Sequence, residues 1–200
     1  VVIQPGQQPD ECEALHSMLD HFTPDDPQKY IITADRGYES YDLLFHCEFK
    51  NLGYVFRVKS PSSPKSILSY YASELPDDLE EFDVTIKRFF TDKATNIMKS
   101  QSDVYRYINP SKNTPHFYEL LRKNHSHLYF LQFRVVKIKT TENTYEYLIT
   151  NLPFSFTLDD IRECYHWRWG IEISFRYLKH AAGLLYFHSK QPEFLKQEIY

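Results

Sequence analysis

The sequence predicts an α/β fold, a mixed sheet with flanking helices interrupted by a β-rich block. Three observations carry that expectation. Residues 28–59 read strand, helix, strand; residues from about 65 to 150 alternate apolar and polar side chains in four separate runs; and a capped helical pattern returns after Pro153. These changes of pattern divide the chain at 1–60, 61–152 and 153–200.

The first division opens with "VVIQPG", a short strand-like run and a turn. "PDECEALHSMLDHF" follows as a helix, with Asp10 placed to cap it and Leu15, Met18, Leu19 and Phe22 at helical spacing. Tyr30 to Ala34 form an apolar strand ending in a polar turn that contains Gly37. "SYDLLFHCEFKNLG" is a helix closed near Gly53, and "YVFRVKS" alternates as a strand. "PSSPKS" reads as a linker. Beyond it "EFDVTIKRFF", "DVYRYIN", "HLYFLQFRVVKIKT" and "TYEYLIT" are rich in β-branched and aromatic residues, which suit an antiparallel sheet. Thr157 with Asp160 three residues on resembles a capping box with Asp in place of Glu. It opens one long helix to about His180, and "QPEFLKQEIY" begins another.

Composition narrows the function classes. The 200 residues are 42% hydrophobic and 16% aromatic, enough for a real core, and five glycines among plentiful mixed charges argue against disorder. No apolar run is long enough for a membrane span and no basic-then-apolar leader opens the chain, so a soluble, cytoplasmic protein is expected. Cys12, Cys47 and Cys164 are far apart and odd in number, which fits reduced thiols. The net charge of −4 is unevenly spread: residues 1–49 hold 2 basic against 10 acidic side chains, residues 50–150 hold 15 against 11. A uniformly basic nucleic-acid binder is excluded; a polyanion on one surface is not.

The chemistry gathers in "YHWRWGIEISFRYLK". At about 100° per residue, Tyr165, Arg168, Glu172, Arg176 and Lys179 share one stripe. Such a stripe is either a solvated ion-pair ladder or a carboxylate aimed at a metal with cations beside it for phosphates. A second carboxylate, Asp35 in "ITADRGY", sits where an apolar strand ends, a natural place for a ligand site in an α/β sheet and equally a turn-forming position. Trp167 and Trp169 are expected in helix packing rather than on a base. "HSH" at 125–127 has no third ligand near it in sequence and is not expected to hold a metal. The basic residues of "RVVKIKT" either track a DNA backbone or are ordinary strand exposure.

Taken together, "ADRGYES", the pattern Tyr-x2-Arg-x3-Glu-x6-Lys and "FRYLK" resemble the bacterial insertion-sequence transposases of the DDE type, in the branch typed by insertion sequence four. The resemblance covers essentially the whole chain. It implies a ribonuclease-H-like catalytic core in residues 1–60 and 153–200, with residues 61–152 as the β-rich insertion. It also implies that Asp35 and Glu172 are catalytic metal ligands, and that Tyr165, Arg168 and Lys179 bind DNA. Two Mg²⁺ (or Mn²⁺) ions, DNA in the form of terminal inverted repeats and target, and a homodimer in the synaptic complex follow from the same likeness, with association with the nucleoid when DNA is bound. Two metal ions about 3.5–4 Å apart serve both ends of a phosphodiester displacement, and Mg²⁺ favours carboxylate and phosphate oxygens. The family's first Asp has no match before Asp35: Asp10 and Asp20 fall in a helix, Asp25 and Asp26 in the loop "TPDDPQ". The expectation is a fragment that begins after that residue and is itself inactive. The competing readings are a DNA-binding remnant without catalysis, and a related metal-dependent nuclease.

Overall fold

The computed structural model describes residues 10–109 and 114–180, excluding the side chains of Phe175, Leu178 and Lys179. The expected opening strand and the helix begun by "QPEFLKQEIY" lie outside the described residues. The α/β expectation holds: a six-stranded mixed sheet is flanked by helices, in keeping with a ribonuclease-H-like core.

The first helix, α1 (Glu11–His21), is capped as its sequence suggests, with Asp10 accepting the Glu13 amide at 3.0 Å. Strand β1 (Ile31–Ala34), helix α2 (Tyr41–Phe49) and strand β2 (Gly53–Val58) form the parallel unit, with Ala34 in register with Phe56. Closure of α2 falls two residues earlier than expected. Asn51 takes the left-handed conformation (φ 56°), while the Leu52 amide reaches back to the Cys47 carbonyl at 2.9 Å. Gly53 has a different task. A Cβ there would come within 3.1 Å of both the Tyr30 carbonyl and a Leu152 methyl, so its bareness lets β2 approach β1.

Strands β3 (Phe82–Thr91), β4 (Tyr105–Tyr107), β5 (Leu128–Thr141) and β6 (Thr144–Thr150) extend the same sheet in the order β1-β2-β6-β5-β3-β4. The pairs β2–β6, β6–β5 and β5–β3 are antiparallel, whereas β4 joins β3 in parallel. The middle block therefore continues the sheet rather than forming one of its own. It also holds helical pieces that the alternation did not announce, among them α3 (Asn96–Ser100) and α4 (Pro115–Lys123). In α4, Pro115 fits the first turn, where its missing N–H is not needed, and His116, Phe117, Leu120 and Leu121 are the buried side chains.

β2 alternates between two cores. Tyr54 and Phe56 enter a large cluster with Leu43, Phe45, Phe90 and Phe133, while Val55 faces a smaller one with Val136, Leu148, Ile161 and Tyr165. A strand covered on both faces is held rigidly, since each large apolar side chain it buries contributes roughly 1.5–3 kcal/mol. The last two helices are α5 (Leu158–His166) and α6 (Trp169–His180). The capping box that opens α5 is present: Thr157 accepts the Asp160 amide at 3.2 Å and Asp160 accepts the Thr157 amide at 2.7 Å. Among the described residues no helix is long and apolar enough to cross a membrane.

Candidate active site

β1 delivers Asp35 to the end of the sheet. The strand stops at buried Ala34, and the next residue caps the short 3₁₀ turn of Arg36–Tyr38, its Oδ1 accepting the Arg36 amide at 2.7 Å. Register supplies a neighbour. Because Ala34 pairs with Phe56, the following residue of β2, Arg57, emerges beside Asp35. Its Nη1 donates to Asp35 Oδ1 at 3.4 Å, and its Nη2 meets Glu146 of β6 at 3.2 Å. The sequence reading missed Arg57 and Glu146. Alternation placed Arg57 on a strand, but only the pairing of three strands shows what it faces.

Tyr165 approaches the same oxygen from α5. Its ring is 2% exposed in the smaller core, and its hydroxyl donates to Asp35 Oδ1 at 3.4 Å across 130 residues of sequence. The position of α5 is fixed by Arg134 of β5, whose Nη1 donates to the carbonyls of Leu152 (3.2 Å), Pro153 (2.9 Å) and Phe156 (2.9 Å). Asp83 neutralises that guanidinium in a two-point pair. Arg134 and Lys137 are 3% and 5% exposed, so these two cations of "RVVKIKT" serve the fold and do not track DNA.

The single helix expected from Thr157 to His180 is broken at Trp167 and Arg168. There the Arg168, Gly170 and Ile171 amides bond to carbonyls three residues back, the tighter 3₁₀ spacing, and Gly170 is a weak helix former. In that spacing side chains three apart eclipse, which lays the Arg168 guanidinium over the Tyr165 ring, 5.2 Å from its centre. The straight stripe becomes a bent one: Tyr165 turns into the core while Glu172 stays on the surface, its side chain 51% exposed. Arg168 Nη1 donates to Glu172 Oε1 at 3.0 Å. The backbone of Lys179 belongs to α6; its side chain lies outside the described residues. Trp167 and Trp169, expected in packing, are 69% and 53% exposed.

Electrostatics tie Asp35 to this group. Burial acts to raise the pKa of its carboxyl. The Arg36 amide, the charges of Arg168 and Arg57 and the Tyr165 hydroxyl outweigh that and hold it below its usual value. Arg168 thus acts on Asp35 and bonds Glu172. All three donors to Asp35 meet Oδ1 and the donor to Glu172 meets Oε1, which leaves Asp35 Oδ2 and Glu172 Oε2 uncommitted among the described residues. On the Arg57 side of Asp35 a cleft of about 360 Å³ is lined by Arg36, Arg57, Lys59 and Glu146. His127 pairs with Asp92 at 3.0 Å and joins no group of possible metal ligands among the described residues. The group of three that does occur, His16, His46 and His116, went unnoticed in the sequence because its members lie on separate segments.

A ribonuclease-H-like α/β domain with arginine-flanked acids at a strand end and on a late helix is the class that this fold describes. The whole of residues 1–200 matches the family model of the transposase DDE domain, and the chain belongs to that family. Comparison with curated proteins finds no match. Membership makes the parent protein a nucleotidyl-transfer enzyme with DNA as its substrate, in a family that generally depends on divalent metal.

Proposed function

We propose that Asp35 and Glu172 are two of the three acidic metal ligands of a transposase that cleaves and joins DNA at insertion-sequence ends, in the branch typed by insertion sequence four. The observation that carries this reading is the Tyr165 hydroxyl on Asp35, with Arg168, stacked on that tyrosine, bonded to Glu172 of the late motif. The donor set suits the ion: hard carboxylate oxygens, one on each acid uncommitted among the described residues, match Mg²⁺ or Mn²⁺. Two bound ions would supply Lewis-acid stabilisation of the leaving oxygen and a deprotonated nucleophile. Arg57 and Tyr165 hold the Asp35 carboxylate in one orientation with its proton off. Arg168 exchanges Glu172 for a DNA phosphate when the end docks, Lys179 belongs to the same end-binding face, and Tyr165, 2% exposed, serves that face from behind through its hydroxyl on Asp35.

The first acid of the three is proposed to come from outside the described residues, since no set of three carboxylates within reach of one ion occurs among them. On this reading the described residues alone do not complete the set of three acids. The division into core (1–60, 153–200) and β-rich insertion (61–152), a homodimeric synaptic complex, and a cytoplasmic, nucleoid-associated location belong to the same proposal. Gel shifts on the element's terminal repeats test the end-binding part. Arg168→Ala and Lys179→Ala are each expected to weaken binding and lower its salt slope by about one. An unchanged slope for both variants would remove these residues from the DNA interface.

A further inference from the structure

We propose that His16, His46 and His116 form a second metal site, for a borderline first-row transition ion such as Zn²⁺, that staples three helices together. The three residues come from α1, α2 and α4, and one ring nitrogen of each lies within 4.8 Å of the other two. Ligand nitrogens around a tetrahedral zinc sit about 3.3–3.4 Å apart, so the cluster must both contract and reorient its rings to coordinate an ion.

Acidic partners favour one set of tautomers, fixing only that of His116. Asp42 Oδ2 lies 2.7 Å from His116 Nδ1 and 3.6 Å from His16 Nε2. Asp20 Oδ1 lies 3.2 Å from His46 Nε2, in a charge contact rather than an aligned hydrogen bond. With protons on those nitrogens, the lone pairs fall on His116 Nε2, His46 Nδ1 and His16 Nδ1, and the last two face each other at 2.9 Å. Two lone pairs that close need a proton or a cation between them. A histidine whose far nitrogen is held by a carboxylate is the usual arrangement around a protein-bound metal.

The rings stack nearly parallel, His46 on His116 at 3.7 Å and 11° and His16 on His116 at 4.4 Å and 10°. Coordination therefore requires a ring to turn. His16 turns most freely, its side chain being 18% exposed while His46 is at 1%, and His116, at 11%, must tilt off His46 as well. Water is left to complete the coordination.

The test uses the untagged chain, stripped with chelator and titrated with Co²⁺ as a spectroscopic probe. Expected are a visible ligand-field band that saturates at one ion per chain and is displaced by Zn²⁺, and a melting temperature raised by roughly 5–10 °C at a hundredfold excess of Zn²⁺ over its dissociation constant. Mg²⁺ should do neither. His16→Ala, or His16→Asn should the first fail to fold, should lose the band while keeping the far-ultraviolet dichroism of the parent. Glu172→Gln should keep the band, which separates this site from the acidic one. A folded parent chain that binds no Co²⁺ at micromolar concentration, or a band that survives loss of His16, overturns the proposal.

Discussion

Asp35 and Asp42 lie seven residues apart, both close to the start of a helical segment, and their surroundings are opposite. The Asp35 side chain is 41% exposed and takes one short bond, from its neighbour's amide, with two contacts at 3.4 Å. Asp42 is 1% exposed, and three donors reach it from α4: the His116 amide (3.1 Å), the Phe117 amide (3.2 Å) and His116 Nδ1 (2.7 Å). Thus Asp42 acts as the cap of a helix 74 residues away. Asp35, by contrast, is surrounded by cations and loosely held. A carboxylate saturated with donors in the core is built for stability. One kept ionised by a backbone amide and nearby arginines, with an oxygen to spare, suits the ligand role proposed for Asp35.

The largest expected effect breaks or confirms that contrast directly. Asp42→Ala should cost about 3–5 kcal/mol in urea unfolding, because it orphans two amides and a buried imidazole. Asp35→Ala should stay within about 1 kcal/mol of the parent. Equal losses would show that the two aspartates play the same role.

A smaller effect sharpens the Asp35 side. Tyr165→Phe removes one long hydrogen bond and keeps the ring in its core, so stability should fall by no more than about 1 kcal/mol. The carboxyl pKa of Asp35, followed by carbon-detected NMR titration, should rise, since a donor to the charged form is gone. A lowered or unmoved value would mean that the hydroxyl does not address Asp35.

The smallest effect concerns the cap that positions Tyr165. Hydrogen bonds from the Thr157 hydroxyl and then its amide lower the Asp160 pKa from 3.8. A depressed carboxyl contributes stability that is complete above its unfolded value and is lost as pH falls through the folded one. Unfolding free energy measured from pH 6 down to pH 2 should therefore decline less steeply in Asp160→Asn than in the parent. Parallel curves would exclude the capping box as a source of acid sensitivity.

What could be read from the sequence was local. The cap of α1 at Asp10, the strand–helix–strand of β1, α2 and β2, the Thr157–Asp160 box and the strand-end position of Asp35 all rest on residues within a few positions of one another. What escaped depends on distant partners. Arg134 and Lys137 looked like exposed strand cations until the loop carbonyls and Asp83 that hold Arg134, and the Asp77 and Leu79 carbonyls that hold Lys137, came into place. The break at Trp167 was hidden because the helical period continues through it, and only the backbone bonds to carbonyls three residues back reveal it. The histidine cluster assembles three segments, with Asp42 and His116 at a separation that no spacing rule spans.

The central claim is that Glu172 is a metal ligand of the reaction rather than a rung of a surface ion-pair ladder. It is tested most directly in the transposase that carries this chain together with all three acids, on its own terminal repeat in saturating Mg²⁺, with cleavage and end binding measured on the same DNA. Glu172→Gln keeps the shape and the Arg168 contact but removes the charge that holds the ion. It should bind the end within about twofold of the parent and cleave it at least about 10³-fold more slowly, the loss expected when a charge-stabilising ligand is removed from the reacting centre. Cleavage within about tenfold of the parent would contradict the claim and return Arg168 and Glu172 to an ordinary surface pair.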